Sequence, residues 1–227
     1  MELIITQIEH FLDINTVFFT ALEYPMSYIE FFGTLFTIWC VWLTARAKIL
    51  SWPIGIIGTL LYMFLFYQIG LYSDLFEQIY FLITGFVGWW LWLRPKNKEN
   101  TDSQNQLKIG TNTLKTNLIY LVIVGLGTLF FTYLATNLDN WFPKYFQEPA
   151  SFPFLDAFTT SMSFVAQWLL ARKKVESWIL WIIVDIIGIW LYWAKGVKFI
   201  SMEYVLFLII ATKGLIDWNK EFKSYKR

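Results

Sequence analysis

Seven largely apolar stretches, at 27–46, 50–69, 75–93, 117–136, 154–171, 175–194 and 199–217, leave this chain little choice of fold. Each is close to the roughly 20 residues that, coiled as a helix, cross about 30 Å of hydrocarbon. Lipid offers no partner to an open strand edge, so all seven read as helices. Composition agrees: 57% of the 227 residues are hydrophobic and 15% charged, where a soluble domain carries about 25% charged residues. The chain is expected to be an all-α integral membrane protein of seven transmembrane helices. Its 13 Trp, 12 Tyr and 22 Phe suit membrane interfaces and ligand pockets.

The polar remainder divides the chain. Residues 1–26 carry Glu2, Glu9, Asp13 and Glu23 and no basic n-region, so a cleaved signal peptide is not expected. Ile4, Ile8, Phe11 and Leu12 recur at helical spacing. They predict either an amphipathic helix lying on the membrane or an ordinary packed helix before the first span. The Lys-, Asn- and Thr-rich segment 94–116 reads as a solvated cytoplasmic linker between a first unit, 27–93, and a second, 154–218. The fourth helix and an outer loop fill 117–153, and 219–227 forms a tail.

Basic residues set the orientation. Arg46 and Lys48 follow helix 1, Arg94, Lys96, Lys98, Lys108 and Lys115 lie in the linker, and Arg172, Lys173 and Lys174 follow helix 5. Lys220, Lys223, Lys226 and Arg227 end the chain, while the other side receives only Lys144, Lys195 and Lys198. The N-terminus is expected outside and the C-terminus in the cytoplasm.

An offset of 126 residues lays WLTARAKILSW (42–52) over WLLARKKVESW (168–178). Without a gap the same offset pairs Gly70 with Gly196, Glu77 with Glu203, Gly88 with Gly214 and Trp92 with Trp218. Matched Trp, Arg, Gly and Glu carry more weight than matched Leu in apolar segments. A three-helix unit followed directly by its copy would point the copy the opposite way across the membrane. The fourth helix restores parity, giving a 3+1+3 arrangement of parallel repeats like that of the SWEET sugar carriers, with a site between the halves.

Within the second copy, Trp178, Trp181, Asp185 and Tyr192 fall at spacings of three, four and seven and share one helical face. Asp185 lies near mid-span. There a carboxylate faces a cavity, a substrate or a partner helix. The equivalent first-copy residues are Trp52, Gly55, Thr59 and Phe66, which predicts one asymmetric site held mainly by the second half. Gln167 and Gln78 are further binding candidates, although either amide could bridge helices. For Glu77 and Glu203 a structural or gating role is as reasonable as binding. Aromatic faces beside an acid suit a flat, especially cationic, heteroaromatic ligand, and a nucleoside-like or vitamin-like molecule fits better than an ion or a lipid.

The segments AQWLLARKKVESWILWIIVDIIGIWLYW (166–193) and WLTARAKILSWPIGIIGTLLYMFLFYQIGLYSD (42–74) resemble the PnuC family of nicotinamide riboside transporters. The resemblance covers all seven spans. It implies a full-length SWEET-like fold, homotrimers in the bacterial inner membrane, and facilitated diffusion of the vitamin. Phosphorylation by a cytoplasmic kinase would then trap it for NAD biosynthesis. Trp178, Trp181 and Asp185 would line the riboside site, with Gln167, Gln78 and Tyr192 beside them. Relatives that carry thiamine or riboflavin are implied to differ in pocket residues rather than fold.

Other classes find less support. An intramembrane enzyme needs a nucleophile with its base, a metal site or a carboxylate dyad, and His10 is the single histidine. One cysteine, Cys40, excludes an internal disulfide and, with one histidine, argues against zinc. No metal or cofactor is expected. A net charge of +1 gives no footprint for nucleic acid. Phosphate loop and channel filter motifs are absent. A SWEET-type sugar carrier remains open, because a sugar also stacks on Trp. The expected partners are the small-molecule substrate, membrane lipid and further copies of the chain.

Overall fold

The computed structural model describes residues 2–21, 24–95, 101–102, 105–143, 151–196 and 198–225. Its elements are α1 (Glu2–Leu12), β1 (Val17–Ala21), β2 (Tyr24–Ser27), α2 (Tyr28–Ala45), α3 (Ser51–Gln68) and α4 (Tyr72–Leu93). They continue with α5 (Leu114–Ala135), the single turn α6 (Leu138–Trp141), α7 (Pro153–Ala171), α8 (Glu176–Ala194) and α9 (Lys198–Ser224). Long helices thus occupy the seven apolar stretches, and α9 runs on into the segment read as a tail. By length and composition α2, α5, α8 and α9 can each cross a membrane. The chain is a helical, multi-pass membrane protein. In α3, α4 and α7 the apolar content is diluted by Gln, Ser, Thr, Tyr and Trp, several of which face an internal cavity.

Helices α2, α3, α4, α7, α8 and α9 pack in that order, and α9 returns to α2 to close a ring. α5 lies outside it against α7, turning Leu121, Leu126 and Leu129 outward at 63–67% exposure. An apolar surface of that kind calls for lipid or protein rather than water.

The offset of 126 residues is written into the backbone. Ala47 and Lys173 sit in the left-handed region at φ 53° and 54°, and Gly70 and Gly196 at 73° and 80°. The turn amides of Lys48 and Lys174 bond to Leu43 and Leu169 at 3.0 and 2.9 Å. Trp52 meets Trp92 edge-on, ring centres 5.3 Å apart, as Trp178 meets Trp218 at 5.4 Å. Gly88 and Gly214 make the room, since a Cβ there would stand 2.2 Å and 2.7 Å from the facing indole. These turns and Trp–Gly contacts therefore match between α2–α4 and α7–α9.

Two segments carry structure beyond what the sequence predicts. First, the helix expected on Ile4, Ile8, Phe11 and Leu12 is α1, and after it β1 and β2 pair antiparallel. Their Phe- and Tyr-rich sequence favours strand. Ser27 then starts α2 with a capping box: its amide donates to Glu30 Oε2 at 2.8 Å and its hydroxyl accepts from the Glu30 amide. Phe18 packs on Tyr28 and Phe31 of α2, ring centres at 4.5 and 5.3 Å. Gln68 ties down the end of α1 by donating to the Leu12 carbonyl at 2.7 Å. The N-terminal segment is thereby fixed at the end of the bundle where α3 stops.

Second, the 94–116 linker is not solvated throughout. Residues 96–100 and 103–104 lie outside the described residues, but 105–113 pack back onto the other end of the bundle. The Leu107 amide donates to the Trp92 carbonyl, and Gly110 exchanges backbone bonds with Lys173 and Val175 at 3.0 Å. Ile109 is 2% exposed, inside the cluster that holds Trp92, Trp178 and Trp218. These contacts satisfy backbone groups that the α7–α8 turn leaves open. Lys173 is buried beneath the strap, 3.5 Å from Asp102 and over the Trp92 ring. Burial lowers its ammonium from the ordinary lysine range, while Asp102 acts to raise it again.

Candidate functional site

The six-helix ring encloses a cavity of about 230 Å³. It reaches from the indoles of Trp52 and Trp178 at one end to Asp74 and Tyr192 toward the other. All six residues singled out from the sequence, Trp178, Trp181, Asp185, Tyr192, Gln167 and Gln78, line it. The helical face read from α8 is the cavity face. Along a helix, however, the 14 residues from Trp178 to Tyr192 span ~21 Å. They mark successive depths of a shaft, and no single small ligand touches both ends at once.

Each depth has its own character. Trp178 is 1% exposed and edge-on to Trp218, so it belongs to the packed floor as well as to the lining. Trp181, one turn further on, is half-buried and stands edge-on to Phe81 of α4 at 6.1 Å. Asp185 follows at mid-helix, 2% exposed, with Oδ2 lacking a hydrogen-bond partner. Such a group in a membrane interior is a candidate for a ligand's positive or hydrogen-bonding end. Tyr192 stacks on Tyr204, ring centres 5.3 Å apart, and donates to Asp74 Oδ1 at 3.1 Å. Gly188 admits that stack, because a Cβ there would lie 2.6 Å from the Tyr204 ring.

The lining is shared between the two units, against the expectation that the second would hold most of it. Trp52, Gly55, Thr59 and Phe66, the first-unit counterparts on α3, line the same cavity. Its four carboxylates also divide evenly: Asp74 and Glu77 from α4, Asp185 from α8 and Glu203 from α9. Thr59 stands on α3 where Asp185 stands on α8, and the first unit brings its acids to the cavity from α4 instead. Glu203 is 6% exposed and receives the Tyr62 hydroxyl at 2.9 and 3.0 Å.

Asp74, Tyr62 and Tyr204 escaped the sequence reading. Asp74 opens a helix, where an acid is commonplace, and a tyrosine in a span reads as an interface anchor. Among the described residues that line the cavity there is no Lys, Arg or His, and the described residues hold no His/Cys/Asp/Glu cluster fit for a metal. The arrangement offers aromatic faces, amides, hydroxyls and four carboxyl groups.

Comparison with known proteins matches residues 27–220 to the family model described as nicotinamide mononucleotide transporter. A relative from Escherichia coli, nicotinamide riboside transporter PnuC, is 32% identical over 212 residues, 86% of each chain. The riboflavin/roseoflavin transporter RibM of Streptomyces davaonensis is 24% identical over 208 residues, covering 90% of this chain and 91% of the relative. Among solved structures, that of the vitamin B3 transporter PnuC superimposes with a TM-score of 0.67 at 23% identity. It spans 87% of this chain and 83% of that one.

Proposed function

The chain belongs to the nicotinamide mononucleotide transporter family, and from that premise we propose that it carries nicotinamide riboside across the bacterial inner membrane by facilitated diffusion. The family is one of transporters and not of enzymes. A lining that holds acids and no described base supports the riboside over the mononucleotide. Asp74, Glu77, Asp185 and Glu203 face it with no described basic side chain among the lining. The riboside carries one positive charge on its pyridinium ring, which suits carboxylates and the faces of Trp181, Tyr192 and Tyr204. The mononucleotide adds a phosphate, which would enter without a counter-charge.

Trp178, Trp181, Asp185, Gln167, Gln78 and Tyr192 form the binding lining in this reading, with Asp185 against the charged ring and the amides against ribose hydroxyls or the carboxamide. The architecture is 3+1+3, two parallel repeats with α5 as the inverting helix. The shared turns at Ala47 and Lys173 and at Gly70 and Gly196 support it. An outside N-terminus and cytoplasmic C-terminus follow from the basic residues. The packing of 107–110 against Trp92 and Lys173 gathers the linker and the α7–α8 turn at one end. The chain assembles as homotrimers, and a cytoplasmic kinase traps the imported vitamin by phosphorylation.

Calorimetric titration of the detergent-purified protein with the riboside, the mononucleotide, thiamine, riboflavin and a simple sugar tests the substrate. Saturable binding of the riboside alone is expected. Binding of the mononucleotide at equal strength would overturn the charge argument. A preference for thiamine or riboflavin would reassign the cargo within the same fold.

A further inference from the structure

The two three-helix units meet along two seams, α2 against α9 and α4 against α7. A tyrosine–carboxylate hydrogen bond crosses between the units beside each seam. Tyr62 of α3 donates to Glu203 of α9 at 2.9 Å, and Thr34 of α2 joins it at 2.9 Å. Tyr192 of α8 donates to Asp74 of α4 at 3.1 Å. In both cases the donor comes from the second helix of one unit and the acceptor from the third helix of the other.

The two bonds are not at the same depth. In repeat register Tyr192 corresponds to Phe66, four residues beyond Tyr62, while Asp74 precedes Glu77, the counterpart of Glu203, by three. α3 runs toward this end of the bundle and α4 away from it. Both shifts therefore move the second bond outward by one turn, ~5.4 Å. The pair lies at the end of the cavity where Gln68 anchors α1, opposite the floor of Trp52, Trp92, Trp178 and Trp218.

We propose that Tyr62–Glu203 and Tyr192–Asp74 are the outer gate of this cavity, two staggered latches that hold the units together and part when a cation competes for their carboxylates. The proposal rests on reading the chain as a transporter with its N-terminus outside. The chemistry of each latch suits a gate, since a neutral hydroxyl on a carboxylate holds in a dry site yet gives way to a full positive charge. Two packed units with discrete seams can switch as rigid bodies, and substrate binding shifts that equilibrium by its differential affinity.

Cys40, the chain's one cysteine, is a built-in reporter. It lines the cavity from α2, six residues and ~9 Å deeper than Thr34 on the first latch. In oriented membranes, its modification by a membrane-impermeant trimethylammonium thiosulfonate added outside reads gate opening. The Tyr62→Phe/Tyr192→Phe double variant, which loses two hydroxyls and no volume of consequence, is expected to label about tenfold faster than the unaltered protein. That is the scale of one net hydrogen bond to a charged group. Glu203→Gln with Asp74→Asn, which weakens the same bonds from the acceptor side, should do likewise. Cys40→Ser reports background.

Equal labelling from outside in the unaltered and both double variants, all monodisperse and labelled from the cytoplasmic face, overturns the gate. Riboside titration of the unaltered protein separates the two claims. Absence of riboside binding with accelerated labelling removes the substrate and keeps the gate, and riboside binding without acceleration does the reverse.

Discussion

Trp178 stands edge-on to Trp218, ring centres 5.4 Å apart and planes at 88°, and Gly214 lies flush beneath the Trp178 indole. The same arrangement recurs in the first unit with Trp52, Trp92 and Gly88 at 5.3 Å and 90°. Each unit thus brings one helix-two tryptophan across its third helix, with a glycine as the seat.

The glycine seats should be intolerant of a methyl group. Gly214→Ala puts a Cβ 2.7 Å from the Trp178 ring, and Gly88→Ala puts one 2.2 Å from the Trp52 ring. Overpacking of this kind costs about 1–3 kcal/mol. Thermal unfolding in detergent should show lower midpoints for both, with Gly88→Ala the worse. Gly125→Ala, with open space around it, should stay within about 0.5 kcal/mol of the parent. Equal midpoints for Gly88→Ala and Gly125→Ala would refute the seat.

Trp178 and Trp181 should separate by phenotype. Trp178 is sealed in the floor at 1% exposure, so Trp178→Ala should lose about 3–5 kcal/mol of stability. Trp181 is half-buried on the cavity wall. Trp181→Ala should stay folded and bind the riboside about tenfold more weakly, a stack of roughly 1.4 kcal/mol. Melting curves and titrations on both variants check this, and interchanged outcomes would reverse the assignment.

Asp185→Asn tests the charge match without changing shape, and Asp185→Ala tests the group altogether. Both should leave the protein folded and weaken riboside affinity by about 10- to 100-fold, the range for a hydrogen bond or contact to a charged partner. Unchanged affinity in a monodisperse Asp185→Ala sample would remove this residue from the site.

The strap over the floor should contribute to stability. Asp102→Ala leaves the buried Lys173 ammonium without its 3.5 Å partner, a loss of about 3–5 kcal/mol when a buried pair is broken. Replacing Lys108, whose ammonium lies 5.6 Å over the Tyr225 ring, should cost no more than about 1 kcal/mol. Proteolysis and melting of the two variants distinguish them. A neutral Asp102→Ala would mean that the segment is held without that ion pair, by the backbone bonds of 107–110 and the burial of Ile109.

What the sequence made legible follows from what physics demands of it. A helix must be about as long as the membrane is thick, so the seven long helices stood out. The repeat was visible because Trp, Gly and Arg at one offset are tied to turns and seats that admit few substitutes. Periodicity also found the cavity face of α8, since an angle around a helix is fixed by spacing. Depth and cross-helix distance are not so fixed. The pairing of Asp74 with Tyr192, 118 residues apart, left no local trace, nor did the packing of Trp178 on Trp218 beside its place in the lining. The pairing of β1 with β2 was hidden because Phe and Tyr suit strand and interface equally. The strap was hidden because a polar run reads as solvated until Ile109 and Lys173 are seen beneath it.

The cavity acids lie at three levels: Asp74 outermost, Glu77 and Glu203 one turn in, and Asp185 about a turn deeper. A monovalent cation descending between them is never more than about one turn, ~5.4 Å, from the next carboxyl group. Each step hands the cargo from one carboxyl group to the next, which smooths the free-energy profile and avoids a single deep well. Fast release at the far side needs such a profile, because a carrier that held its cargo at one strong site would bind it well and deliver it slowly.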